Sequence, residues 1–354
     1  MSTIQTQLDD LVEKHLPGAF VYLEDTGGSS QFYTSGFADL LTKTRMTPDM
    51  RYRVGSVTKT FTATVTLQHV AEGQLSLDDL VQRLLPALDL PNADTLTVEH
   101  LLRMRSGIFD FEEDPALKDD LEAHLKPVSL DQALEMGLRH PAGFKPGERF
   151  SYSNTNFCLL EKIIETLTGI SLGRHFTERI FNPLGMASSS YPVEDDLSLP
   201  EPYIHGYEHT SDSWFDCSHV FFGRGDGALI STAIDLGRFY RALLARGESS
   251  LLPDDLLERM MTIPPGDSPE ERRYGMGLSA DVLPVGTVWG HSGGGLGYLN
   301  FPFLQLESGR FAVFMCNGTA FSQGKEEPGP GAAQALNELR AGMYPDLSAT
   351  MSHD

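Results

Sequence analysis

Strand-like runs lie near the two ends of this 354-residue chain and helical periodicity fills its middle, a distribution that leaves few architectures open. Residues 5–16 set Leu8, Leu11, Val12 and Leu16 at close to helical spacing. The runs Ala19–Leu23 and Phe32–Ser35 follow, joined by a turn-rich stretch from Asp25 to Ser30. Arg51–Val54 reads as a short strand, and beyond Gly55 an uninterrupted helix is expected from Ser56 to Val70, ended by Gly73. Helical patterns then predominate, over 97–104, 129–139, 155–168, 171–181, 233–246 and 253–262. Strand signals return at Tyr274–Leu283, Thr287–Gly290, Tyr298–Leu306 and Arg310–Cys316, followed by a loop over 325–331 and a closing helix from Ala332 to Met343. The economical fold class is α+β: one antiparallel β-sheet flanked by terminal helices, built from residues 1–88 and 265–354, with a mostly helical domain inserted over 89–264. Ser56 then opens a helix at the seam between the two parts, where pockets tend to form.

A formal charge of −22 argues against nucleic acid or an anionic membrane as the main partner, since both require basic surface. Three widely spaced cysteines, Cys158, Cys217 and Cys316, imply no disulfide framework. No run approaches the roughly 20 apolar residues that span a bilayer. The amphipathic, acidic N-terminus has no signal-peptide pattern, so a cytoplasmic location is expected, with a leader trimmed before Met1 as the other option. Neither a cofactor nor a metal is expected. His205, His209, Cys217 and His219 fall in an irregular loop without standard ligand spacing.

Three short strings supply a possible acyl-transfer site: Ser56-Val-Thr-Lys59, Tyr152-Ser-Asn154 and His291-Ser-Gly293. A serine hydroxyl is a poor nucleophile until something takes its proton. Ser56 and Lys59, three apart on a helix, share a face one turn apart, and the helix N-terminus favours negative charge on the serine. Lysine acts as a base only if its surroundings pull its pKa well below the free value, by burial or a neighbouring cation. Tyr152 then serves as proton shuttle, and Asn154 as an amide that orients Lys59 and the substrate carbonyl. Taken singly, Ser56 and Asn154 read equally as helix N-caps, Tyr152 as packing, and Trp289–Gly297 as a glycine-dense turn after a strand. Two look-alikes are set aside. Ser322-Gln-Gly-Lys325 precedes a Pro- and Gly-rich stretch and cannot open a long helix, and Gly169-Ile-Ser-Leu-Gly173 joins two helices, with Gly169 closing one and Ser171 capping the next.

Together with Leu101–Gly107, Lys145-Pro-Gly147 and Ile180–Met186, these strings resemble the serine β-lactamase/DD-peptidase family over residues 15–320. The nearest branch holds class C β-lactamases, DD-carboxypeptidases, D-aminopeptidases, D-amino-acid amidases and esterases. The resemblance implies acylation of Ser56, proton transfers shared between Lys59 and Tyr152, and Asn154 holding Lys59. It puts His291 where β-lactamases carry lysine. It makes the backbone N–H groups of Ser56 and Gly294 the oxyanion donors, each worth roughly 3 kcal/mol of barrier. Phe109, Arg224, Ser292 and Gly293 are expected along the substrate, with an ion pair to Asp226 as the other reading of Arg224. Carboxypeptidases of this branch carry a hydroxyl residue and an arginine where this chain has Gly294 and Ser279, so Arg224 is the candidate cation for a substrate carboxylate. The expected function is a serine hydrolase acting through an acyl-enzyme on a small molecule or short peptide, of D-stereospecific peptidase or amidase type. The alternatives are a carboxylesterase or acyltransferase, a β-lactamase, and a non-catalytic penicillin-binding-like protein. Oligomeric state is not readable from the chain.

Overall fold

The computed structural model describes residues 3–118, 120–193, 195–210, 213–247, 250–264, 273–319 and 332–345. Ser322-Gln-Gly-Lys325 and the loop over 325–331 lie outside the described residues. Helix α1 (Ile4–His15) is capped by Thr3, whose side chain accepts from Thr6 N–H, and leads into the hairpin β1 (Gly18–Glu24) and β2 (Ser30–Gly36). A 3₁₀ turn at Gly55–Val57 precedes α2 (Thr58–Ala71). The middle of the chain carries α3 (Leu130–Leu138), α4 (Thr155–Thr168), α5 (Ala233–Leu243) and α6 (Asp254–Met261). The sheet resumes with β3 (Arg273–Tyr274), β4 (Ser279–Leu283), β5 (Gly286–Gly290), β6 (Gly293–Gly295), β7 (Tyr298–Gln305) and β8 (Arg310–Cys316), and α7 (Ala332–Gly342) follows.

All pairings in this eight-stranded sheet are antiparallel, in the order β2-β1-β8-β7-β5-β4-β3, with β6 also on β7. The period-two alternation of β1 explains how the layers stack. Ala19, Val21 and Leu23 pack with Leu8, Leu11 and Leu339 from α1 and α7, while Phe20 and Tyr22 face the larger core shared with α2, α4 and α5. Strand β8 does the same, with Ala312 and Phe314 on one face and Val313 and Met315 on the other. The α+β class expected from the sequence is therefore the one observed.

Three details depart from the expected elements. The run Tyr274–Leu283 is not one strand but β3 and β4 folded into a hairpin. Gly277 turns it with φ +66°, and a β-carbon there would lie 2.6 Å from Ala63 Cβ and 2.9 Å from Lys59 O. The segment 171–181 runs as a short α-turn at Leu172–Phe176 and then a π-turn at Thr177–Phe181. The chain also forms a small sheet of Tyr207–Thr210, Ser213–Asp216 and Gly318–Thr319, for which no strand was expected. Around Gly169-Ile-Ser-Leu-Gly173 the expectation holds: Gly169 ends α4 in the left-handed region and the Ser171 side chain accepts from Arg174 N–H. Among the described residues no helix is long and apolar enough to cross a membrane.

Candidate active site

Lys59 is fully buried on α2, and its Nζ lies 3.0 Å from Ser56 Oγ, 2.6 Å from Asn154 Oδ1 and 2.9 Å from the Asp226 carbonyl. The Tyr152 hydroxyl also hydrogen-bonds to it, and the ammonium sits 4.9 Å from the Tyr152 ring centroid. The four side chains named from the two strings thus meet at one nitrogen. Ser56 is half-buried within the 3₁₀ turn rather than at the helix cap. That turn is fixed from below: Thr58 Oγ1 donates to Gly55 O at 2.7 Å and accepts from Leu229 N–H at 3.1 Å. Asn154 precedes α4 but its side chain caps nothing, because both its ends are committed elsewhere. Its Oδ1 takes Lys59 and its Nδ2 donates to Asp110 Oδ2 and Glu112 Oε2, each at 3.0 Å.

The surroundings of Lys59 move its pKa in the direction opposite to the one a lysine base needs. Burial pulls its pKa down, but the charges of Tyr152, Asp226 and Glu112 and the bond to Tyr152 outweigh that, and the amine titrates above its ordinary value. The Asn154 and Asp226 oxygens can only accept, so two N–H groups of Lys59 are committed to them. The contact with Ser56 Oγ fits an ammonium that donates to the hydroxyl and equally a neutral amine that accepts from it. Burial, opposed by Lys59 and two backbone N–H groups, raises the Asp110 carboxyl to about 6.

His291 is fully buried at the end of β5. Its Nδ1 is 2.6 Å from the Ser292 carbonyl, which can only accept, so Nδ1 carries a hydrogen. In the neutral ring Nε2 is then the acceptor, and Tyr274 OH donates to it at 3.2 Å. The sheet interrupts itself here for a reason written in the sequence. Gly290 pairs with Phe303 and Gly293 with Asn300, which puts Pro302 opposite His291. Proline has no N–H to give, and the ladder lapses over His291 and half-buried Ser292. Beyond the gap, β6 runs against the serine turn: a β-carbon on Gly293 would fall 1.8 Å from Val54 O, and one on Gly55 would fall 2.9 Å from Gly294 N. The backbone of Gly294 is thereby brought beside Ser56.

Two residues expected along the substrate have partners within the fold. Arg224 is buried, with Nη2 3.8 Å from Glu161 Oε1 and its guanidinium beside the Tyr191 ring. Its ion pair is with Glu161, while Asp226 Oδ1 accepts from the Arg224 backbone N–H. Half-buried Phe109 lies beside Ser153, whose Oγ donates to the Phe109 carbonyl, but its ring stacks on His140 at 4.0 Å. Ser279 is buried on β4 opposite Gly290. Sequence reasoning missed Asp110, Glu112, Asp226 and Tyr274, which touch the named residues from distant parts of the chain.

A model of the Beta-lactamase family matches residues 3–336. The chain belongs to the β-lactamase family. The structure of this β-lactamase-family protein is similar to that of a D-stereospecific amidohydrolase from Streptomyces sp., with a TM-score of 0.80 and 34% identity over 89% of this chain and 93% of that one. The D-amino acid amidase from Ochrobactrum anthropi SV3, complexed with L-phenylalanine amide, gives a TM-score of 0.83 at 28% identity over 96% and 97% of the two chains. Protein flp of Staphylococcus aureus is 30% identical over 195 residues, which make up 53% of this chain and 38% of that longer protein.

Proposed function

We propose that this protein is a serine hydrolase that forms an acyl-enzyme on Ser56 and acts on D-configured amides or short peptides bearing a free amine. The observation that carries the reaction is the buried Lys59 ammonium, 3.0 Å from Ser56 Oγ and held on its other sides by Asn154 and the Asp226 carbonyl. With Lys59 protonated, as the upward direction of its pKa favours, it stabilises developing negative charge on Ser56 Oγ instead of removing the proton. As Ser56 Oγ bonds to the substrate carbonyl carbon, the C=O π bond opens to an oxyanion and the serine proton passes to the Tyr152 oxygen. Tyr152 gives its own proton to the substrate nitrogen as the carbonyl re-forms and the C–N bond breaks, releasing the amine. Water then reverses the sequence and releases the acid. The backbone N–H groups of Ser56 and Gly294 receive the oxyanion.

The preference for an amine rests on charge. Asp110 and Glu112 converge on Asn154, and Arg224 is turned onto Glu161, so this wall of the site favours an ammonium over a carboxylate. The two structural neighbours, an amidohydrolase and an amidase of D-stereospecificity by name, support the same substrate class.

The test is fluorophosphonate labelling followed by peptide mass spectrometry, with turnover of D-phenylalanine amide, its N-acetyl derivative, a D-alanyl-D-alanine peptide and p-nitrophenyl butyrate. The expected result is modification of Ser56 and fastest amide turnover with the free amine. Modification of another residue rejects the mechanism. Brisk ester turnover without amide turnover transfers the assignment to an esterase on the same scaffold.

A further inference from the structure

The carbonyl that Lys59 donates to belongs to Asp226, in the segment Phe222-Gly-Arg-Gly-Asp-Gly227. A backbone carbonyl has no rotamer of its own, so its aim depends on what holds the neighbouring peptide units. The segment is knotted internally: Asp226 Oδ1 accepts from Arg224 N–H at 2.8 Å, and Gly227 and Ala228 N–H both donate to the Arg224 carbonyl at 2.9 Å. Gly225 anchors the knot to the rest of the fold. Its N–H donates to Glu161 Oε2 at 2.7 Å and its carbonyl accepts from Thr62 Oγ1 at 2.6 Å. A β-carbon on Gly225 would lie 2.9 Å from Phe157 O and 3.0 Å from Glu161 Cβ, so this backbone lies directly on α4.

Glu161 is an expensive residue to place there. It is 1% exposed, two turns beyond Asn154 on a helix whose inward residues include Phe157, Leu160 and Ile164. A buried carboxyl is destabilising unless its bonds compensate. Its Oε1 accepts from Tyr191 OH at 2.8 Å and faces Arg224, which leaves Oε2 for Gly225. An apolar side chain would fill the space but could not accept the Gly225 N–H.

We propose that Glu161 is a positioning residue for acylation: by holding the Gly225 N–H it aims the Asp226 carbonyl at Lys59, and so fixes the ammonium against Ser56 Oγ. The proposal rests on the roles given above to Ser56 and Lys59. Two conservative variants separate reach from charge. Glu161→Asp keeps the charge beside Arg224 but withdraws the carboxylate by roughly 1.5 Å. Glu161→Gln gives up the charge but keeps an oxygen at the Gly225 N–H. With rates normalised to folded protein, E161D is expected to slow fluorophosphonate labelling of Ser56 and lower amide kcat about tenfold or more, with KM within about twofold, whereas E161Q stays within about threefold of wild type. E161D at the wild-type rate, or E161Q slowed as much as E161D, overturns the proposal, because then reach to Gly225 is not what counts. If E161D does not fold, Thr62→Val loosens the same peptide unit from α2 and must slow labelling in the same way. A T62V protein labelled at the wild-type rate is equally fatal. Failure to label Ser56 in the wild type sinks the acyl-enzyme reading itself, whereas a labelled wild type with unaffected variants removes only Glu161.

Discussion

Lys59 binds through oxygens of four kinds, and they differ in how much of their role a sequence can carry. Ser56, Tyr152 and Asn154 act through side chains, so residue type and spacing announced them. Asp226 meets Lys59 through a backbone carbonyl, which any residue type could supply, and Asp110 and Glu112 reach Asn154 from more than 40 positions away with no spacing rule to mark them. The upward direction of the Lys59 pKa was only partly legible, since Tyr152 contributes most to it and Asp226 and Glu112, which no spacing rule marks, add to it. Asn154 is the hinge of this set, with Lys59 on one end of its amide and two acids on the other. In Asn154→Ala the Lys59 ammonium loses an acceptor and gains direct exposure to the acids. We expect kcat/KM for amide substrates to fall about 10²-fold or more, with Ser56 still labelled slowly by fluorophosphonate. In Tyr152→Phe the ring beneath the ammonium remains and only the hydroxyl goes. Amide turnover should fall by about 10²–10⁴-fold, and esters, whose leaving group needs less help from an acid, should lose much less. Equal losses on amide and ester would remove Tyr152 from leaving-group protonation.

At the scale of elements, α2 shows how one helix positions a site. Its apolar spacing is diluted by threonines at 58, 60, 62, 64 and 66, all buried. Thr58 and Thr62, four apart, share a face and fix the backbone at Leu229 and Gly225. Thr60, on another side, donates to Gly277 O at 2.7 Å and ties α2 to the β3–β4 hairpin. Valine has almost the same shape as threonine, so Thr60→Val removes that bond together with the longer contact of Thr60 Oγ1 with Tyr240 OH at 3.5 Å. It should cost about 1–3 kcal/mol in urea unfolding, because the Gly277 carbonyl is left buried without its donor, while leaving Ser56 labelling within about threefold. A variant as stable as wild type would mean that the hairpin docks on packing alone. The long elements α1, α4, β1 and β8 were legible because each buries a regular stripe or alternates its faces, and α2 because it runs without a breaker between Gly55 and Gly73. The β3–β4 hairpin was not, since its turn depends on Gly277 meeting α2, a contact no local pattern encodes. Strand β6 was hidden for a related reason: three glycines have no alternation to read, and the break before it follows from Pro302 on a neighbouring strand.

For the molecule as a whole, two acids with raised pKa values, buried Glu161 and half-buried Asp110, set against a formal charge of −22 make stability depend on pH in a direction that can be worked out. Burial raises the Glu161 carboxyl from its ordinary value of 4.5 to about 7, against the opposing charge of Arg224, and raises Asp110 from 3.8 to about 6. Each group therefore binds its proton more tightly folded than unfolded. Their contribution is fully present below pH 4 and is lost as pH rises through about 6 for Asp110 and about 7 for Glu161. For Glu161 the loss is on the order of 3 kcal/mol between the two extremes. General repulsion among the surplus carboxylates pushes stability the same way as they ionise, so the slope in the wild type alone proves nothing. Glu161→Gln separates the two effects. It changes the net charge by one, leaves the repulsion nearly intact, and removes the titration of this one buried group. Urea midpoints measured at pH 5 and pH 8 should converge in E161Q, with the wild type losing more stability on going to the higher pH. Parallel losses in both proteins would mean that Glu161 is already ionised at pH 5, with Arg224 compensating its charge more fully than a separation of 3.8 Å suggests.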